Sequence, residues 1–177
     1  MDTHTATKVE EAYVAFAETL KHFKFPIIMS NKAQKTFGLK HTIFIPFDAS
    51  EANDKAGFGL YLFLHEIETP KGGMPCLIAT ATLQLATTHH KKEVAQLLHE
   101  INLHLPVPGW ILDDGDNLIH FKYLFSDFSP SHPIPESYVT ILVEILNGIA
   151  RSFPLLKEVI EGKSFKDIRD EIAGRLS

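Results

Sequence analysis

Apolar residues recur at helical spacing in some stretches of the chain and alternate at strand spacing in others. Helices are predicted over Thr7–Phe23, His89–Leu105 and residues 135–160. The predicted strands are Thr42–Phe47, Gly57–Glu68, Pro75–Leu85, Trp110–Asp113 and Leu118–Asp127. A short final helix is predicted after Ser164, with its apolar residues at helical spacing: Phe165, Ile168, Ile172 and Leu176.

Capping residues and prolines predict where several of these elements begin and end. Thr7 and Glu10 have the spacing of a capping box at the start of the first helix. Pro46 indicates that its strand lies at a sheet edge or ends there. Residues 27–40 fit either a short strand or an irregular connection. Pro154 should kink or split the third helix, and Gly162 should stop it.

The order of these elements predicts the fold class. It reads α-β-β-β-α-β-β-α followed by a short C-terminal helix, which is typical of an α+β protein with an antiparallel sheet. We expect a single domain over residues 1–177, with residues 163–177 as an appended helix. The first three strands should form a meander because their connections are short or medium. The segment 114–117, with sequence DGDN, should form the turn of a hairpin.

Composition narrows the classes of function. The chain has 177 residues and a formal net charge of −5, which argues against nucleic acid as a partner. It contains one cysteine, Cys76, so no disulfide can form within the chain, as expected in a reducing compartment. The N-terminus lacks the pattern of a secretory signal, and the uninterrupted apolar runs are shorter than a membrane span. We therefore expect a soluble, cytoplasmic protein that does not bind a membrane.

Motifs for metal, cofactor or catalytic sites are absent from the sequence. His65 and His99 each precede a glutamate, but neither completes the H-E-x-x-H pattern of zinc enzymes. Asp113 begins an acidic stretch that is better explained as a turn than as a calcium loop. Cys76 has no local signature of a nucleophile. We therefore expect no cofactor and no metal, and the alternative is a small-ligand or enzyme site assembled from separate histidines (His65, His99, His104 and His120).

The stretch LLHEINLHLPVPGWILDDGDNLIHFKYLF, with the Pro-led helix and IEGKSFKDI that follow it, resembles the YbjN-like family of bacterial proteins. The matching features are Asn102 closing a helix, Gly109-Trp110 opening a strand, the Asp114-Gly115 turn and the segment beginning at Gly162. The resemblance covers Val9 to the end of the chain. It implies the fold of type III secretion chaperones, with helices packed on one face of the sheet, and members that are mostly non-enzymatic and commonly homodimeric. The chain is longer than those chaperones.

These observations favour a non-enzymatic protein-binding module of chaperone-like or regulatory type. Its partner would be another protein, a client segment or a second copy of the chain, and a monomer is as well supported as a homodimer. The surface we predict for docking comprises Trp110, Lys122 and Leu124.

Overall fold

The computed structural model confirms an α+β fold with an antiparallel sheet. The residues that the structure describes are 3–29, 42–47, 59–69, 72–83, 90–113, 115–125 and 136–176. The described helices are α1 (Thr3–His22), α2 (Lys91–His104), α3 (Glu136–Ile160), α4 (Phe165–Ile168), a 3-10 turn (Arg169–Glu171) and α5 (Ile172–Leu176). The described strands are β1 (Ile28–Met29), β2 (Thr42–Pro46), β3 (Gly59–Thr69), β4 (Gly72–Leu83), β5 (Trp110–Asp113) and β6 (Leu118–Phe125).

The described strands form a sheet in the order β1-β2-β3-β4-β6-β5. The pairs β1–β2, β2–β3, β3–β4 and β5–β6 are antiparallel, so the predicted meander is confirmed over β2, β3 and β4. The chain falls into two compact units, 1–80 with 124–139 and 81–123 with 140–177.

In the first unit, one face of the sheet is largely buried and the other is only partly covered. The buried residues of the first face are Ile43, Ile45, Leu60, Leu62, Leu77 and Ala79. On the opposite face, Phe44 and Tyr61 are half-buried and their rings contact each other with centroids 4.7 Å apart. On α1, the phenol of Tyr13 donates a hydrogen bond to the carbonyl oxygen of Thr42 over 2.8 Å.

The ends of the first-unit elements correct the predicted bounds of the first helix. Helix α1 begins at Thr3, so the capping box expected at Thr7 is wrong. The helix ends at His22, and Phe23, the last residue of the predicted helix, lies beyond it and is exposed. Strand β2 ends at Pro46, which is one of the two alternatives predicted from that proline, and it has a strand on each side. Strands β3 and β4 pair as far as Thr69 and Gly72, and residues 70–71 lie outside the described part.

The second unit is built around α2, the β5–β6 hairpin and most of α3. The predicted stripe of α2 is confirmed, because Val94, Leu97, Leu98, Ile101 and Leu105 are all buried. The helix begins at Lys91, two residues after the predicted start at His89. On β6, Ile119 and Phe121 point into the core while His120 and Lys122 point outward, as the alternation predicted.

Helix α3 is the main apolar element of the second unit. It is continuous through Pro154, so the helix is not split there. Its exposed residues follow one line along the helix and include Val143 and Ala150. The helix has the length and composition of a membrane span, with mean hydropathy 1.5, a test that core helices of soluble proteins also pass. Within that helix, one line of leucines and isoleucines is buried: Leu142, Ile145, Ile149, Leu155 and Leu156.

The C-terminal segment is tied to the second unit by buried side chains and by an ionic cluster. Ile168, Ile172 and Leu176 are buried. The Glu158 carboxylate contacts Arg175 at 2.7 Å and Lys163 at 2.8 Å. These two hydrogen bonds lower the pKa of Glu158 to about 2.

Candidate partner-docking surfaces

Trp110, the first residue of the predicted docking surface, lies in the core of the second unit. Its side chain is 3% exposed, and its ring stands edge-on to Phe121 with centroids 5.6 Å apart. Its indole Nε1–H donates to Ser152 Oγ over 2.9 Å, and Ser152 Oγ donates in turn to the carbonyl oxygen of Gly148 over 2.6 Å. The Trp110 side chain therefore contributes to packing and leaves almost no surface for a partner.

The backbone of Trp110 is held by the side chain of Asn102 at the end of α2. Asn102 Oδ1 accepts hydrogen bonds from the backbone N–H groups of Gly109 at 3.1 Å and Trp110 at 3.0 Å. Asn102 Nδ2 donates to the carbonyl oxygen of Trp110 over 2.9 Å. Because the Lys122 N–H donates to the Gly109 carbonyl oxygen, the ladder alternation turns the N–H and C=O of Trp110 away from β6. Asn102 thus closes the outer edge of β5 at this residue.

Gly109 is required by the close approach of β6 to the start of β5. A Cβ atom at this position would lie 2.8 Å from the carbonyl oxygen of Lys122 and 2.8 Å from the ring of Phe121. Any larger residue would push the two strands apart. The Gly-aromatic pair of the sequence motif therefore serves the packing of this hairpin.

Lys122 and Leu124, the other predicted docking residues, are exposed on the outward side of β6. Within the second unit, Lys122 has an exposed apolar neighbour on β5, Ile111, which pairs with His120. His120 Nδ1 lies 3.0 Å from Thr82 Oγ1. Leu124 belongs to the first unit. The outward side of the hairpin in the second unit is therefore mostly polar, with one large apolar side chain.

Three exposed apolar side chains lie close together in the sequence of the first unit, at the end of α1 and in β1. Phe23 is 46% exposed, Ile28 48% and Met29 42%. These three side chains lie within a stretch of sequence reading FKFPIIM. Sequence reasoning missed this surface because a short apolar run fits a buried strand as well as an exposed one.

Lys24 precedes this strand in an unusual backbone conformation. Its φ is 61°, and the end of α1 has Phe25 N–H bonded to the Leu20 carbonyl oxygen and Lys24 N–H bonded to the Lys21 carbonyl oxygen. This is the Schellman arrangement, in which glycine is strongly preferred at the left-handed position. Helix α3 ends with the same pair of bonds, and there the left-handed residue is Gly162. Lys24 therefore keeps a cation at a position that favours glycine.

The histidines that the sequence offered for a ligand site do not assemble among the described side chains. His99 and His104 are exposed on α2, and His120 pairs with Thr82. The side chain of His65 lies outside the described part. Over the described ranges, no group of three or more histidine, cysteine or acidic side chains is placed to hold a metal ion. Cys76 is a buried cysteine in β4.

The acidic stretch after β5 forms the predicted turn. The Asp113 carboxylate accepts hydrogen bonds from the backbone N–H groups of Gly115 at 2.8 Å and Asp116 at 3.3 Å. These bonds lower the pKa of Asp113 and fix the turn. Asn117 completes the turn with a φ of 55°.

The described residues therefore define an α+β protein whose outer strands differ in how far they are covered. No family model, no curated protein and no solved structure matches this chain.

Proposed function

We propose that this chain is a non-enzymatic protein-binding module of chaperone-like or regulatory type that acts in the cytoplasm. The observation that carries the proposal is the set of exposed apolar side chains at the end of α1 and on the outer strand β1: Phe23, Ile28 and Met29. Large apolar side chains exposed at an outer strand mark a place where a partner can bind, because covering them removes apolar area from water. Each Å² so covered contributes about 25 cal/mol.

We further propose that the chain is a YbjN-like protein with the fold of the type III secretion chaperones. Support comes from the residues that carry the resemblance. Asn102, Gly109 and Trp110 form one hydrogen-bonded unit, and Gly162 takes the left-handed conformation that ends α3. These are structural roles, so they bear on the fold and leave the choice of partner open.

Affinity capture with matched surface variants tests the protein-binding role. The tagged full chain would be incubated with an extract of the organism that encodes it, alongside Met29→Lys and Leu103→Lys. Leu103 is the control because it is 65% exposed and lies in the second unit. We expect proteins that the unmodified chain and Leu103→Lys both retain and that Met29→Lys loses, with equal urea unfolding of all three. Equal retention by all three chains would contradict the proposal.

The partner can also be a second copy of the chain. Light scattering at micromolar concentration separates the two cases, because a homodimer has twice the mass of the monomer. A dimer that Met29→Lys converts to a monomer would identify the β1 surface as the subunit interface. A monomer at this concentration would contradict the homodimer and leave another protein as the partner.

A further inference from the structure

The C-terminal segment from Lys163 to Leu176, which we call the strap, is held in the second unit by few buried side chains. The side chains that it buries are spaced four residues apart and share one face: Ile168, Ile172 and Leu176. Its remaining side chains are exposed or half-buried. The backbone is divided into α4, the 3-10 turn and α5, with four, three and five residues. Helices this short are not stable alone, so the strap depends on its contacts with the rest of the unit.

The strap lies against α2. Both α4 and α5 contact this helix, and at the start of the strap the Phe165 N–H donates to the Glu93 carboxylate of α2 over 2.8 Å. The chain turns between α3 and the strap at Gly162, whose φ is 105°. Because the strap follows this turn, it can swing away from α2 without breaking a backbone hydrogen bond within α2 or α3. The movement would uncover the part of α2 that the strap contacts.

Charged side chains of α3 hold both ends of the strap. The Glu158 carboxylate contacts Lys163 at the start of the strap at 2.8 Å and Arg175 near its end at 2.7 Å. Arg151 Nη1 donates to the carbonyl oxygen of Leu176 over 2.8 Å. The three side chains of the Glu158 ion pairs are 31–40% exposed, so dissolved salt screens their attraction.

We propose that the strap opens as a unit while the rest of the second unit stays folded, and that the two ion pairs of Glu158 set how often it opens. Segments with few buried side chains and solvent-exposed polar attachments are the first parts of a fold to open. Opening exposes the apolar face of the strap and the part of α2 beneath it. This device involves residues of the second unit alone and does not depend on the proposed function.

Hydrogen exchange on the full chain, read by mass spectrometry under native conditions, tests the inference. We expect the backbone amides of the strap to exchange at least about tenfold faster than those in the middle of α2 and α3. The rate, corrected for sequence, should be the same for α4 and α5, because the strap opens in one step. Fraying would instead give rates that fall from Leu176 towards Phe165.

Two variants should change the opening in opposite directions. Arg175→Gln removes one ion pair of Glu158 and should speed exchange across the whole strap about two- to fivefold. Gly174→Ala should slow it about two- to fivefold, because alanine favours the helix and its Cβ atom would meet nothing within 4 Å. Lys157→Gln is the control, since it removes an exposed ion pair to Glu161 that lies within α3. It should leave exchange of the strap unchanged.

Salt gives an independent check of the ion pairs. Raising the concentration from about 0.02 M to about 0.5 M should speed exchange of the strap about twofold, with a smaller effect in Arg175→Gln. Exchange of the strap in the same step as α2 and α3, or fraying from Leu176, would overturn the opening of the strap as a unit. Equal effects of Arg175→Gln and Lys157→Gln, or no effect of salt, would overturn the role of Glu158.

Discussion

The side-chain amide of Asn102 bonds both the N–H and the C=O of Trp110, as the backbone of a neighbouring strand would. A single side chain on α2 therefore does three things. It ends the exposed edge of the sheet at β5, fixes the chain between α2 and the hairpin, and sets the position from which the Trp110 ring enters the core. At the other end of the strand order, no described strand pairs on the outer side of β1, where Ile28 and Met29 are exposed.

Asn102→Leu should destabilise the protein by about 2–3 kcal/mol, because the N–H groups of Gly109 and Trp110 and the Trp110 carbonyl would lose their partner. Asn102→Asp keeps the acceptor and should cost less. The measurement is the free energy of unfolding in urea. Asn147→Leu, an exposed position on α3, is the control. A loss for Asn102→Leu no larger than that of the control would show that the amide does not hold this edge.

Ser152→Ala should cost about 1–2 kcal/mol of unfolding free energy, because the indole N–H of Trp110 would stay buried without an acceptor. Trp110 is the single tryptophan, so its fluorescence reports on this site without interference. A double-mutant cycle with Trp110→Phe isolates the bond, since phenylalanine has no N–H. If Ser152→Ala costs the same in the Trp110→Phe background, the bond contributes nothing.

Glu158 should make stability depend on pH in the acid range. Its pKa in the folded protein is about 2, below the ordinary 4.5, so its contribution is complete above pH 4.5 and is lost as the pH falls towards 2. The side chain is 31% exposed, so solvent screening limits the contribution to about 1 kcal/mol. Glu158→Gln should be less stable than the parent at pH 7 and equally stable near pH 2. The measurement is the difference in unfolding free energy in urea between Glu158→Gln and the parent. If this difference does not narrow with acid, or if Glu161→Gln shows the same difference, the assignment to Glu158 is contradicted.

The sequence predicted the elements that depend on local patterns and missed the features that depend on distant partners. The stripe of α2, the hairpin turn at Asp113 and the stop at Gly162 follow from periodicity and from turn and capping chemistry, and the structure confirms them. Trp110 was expected on the surface, but its burial depends on Ser152, 42 residues away. The capping box at Thr7 fails because α1 extends four residues further towards the N-terminus. The exposure of Ile28 and Met29 depends on β1 being an outer strand, which no local pattern reveals.

Thr42→Val should leave stability unchanged or raise it by about 1 kcal/mol. The Thr42 hydroxyl is buried and has no hydrogen-bond partner among the residues that the structure describes, and valine has nearly the same shape without the polar atom. The bond from Tyr13 to the Thr42 carbonyl oxygen involves the backbone and survives the substitution. Urea unfolding of the variant checks this, with Thr42→Ala as the comparison that leaves a cavity. A loss above about 1 kcal/mol for valine would mean that the hydroxyl has a partner in solution.

Lys24→Gly should stabilise the protein, because glycine adopts the left-handed backbone conformation without the steric cost of a Cβ atom. The free energy of unfolding should rise by about 0.5–1 kcal/mol. Gly162→Lys is the matched control: at the end of α3 it should lower stability by about 1 kcal/mol. Urea unfolding of both variants measures these changes. A Lys24→Gly variant that loses stability would show that the left-handed conformation is not maintained in solution.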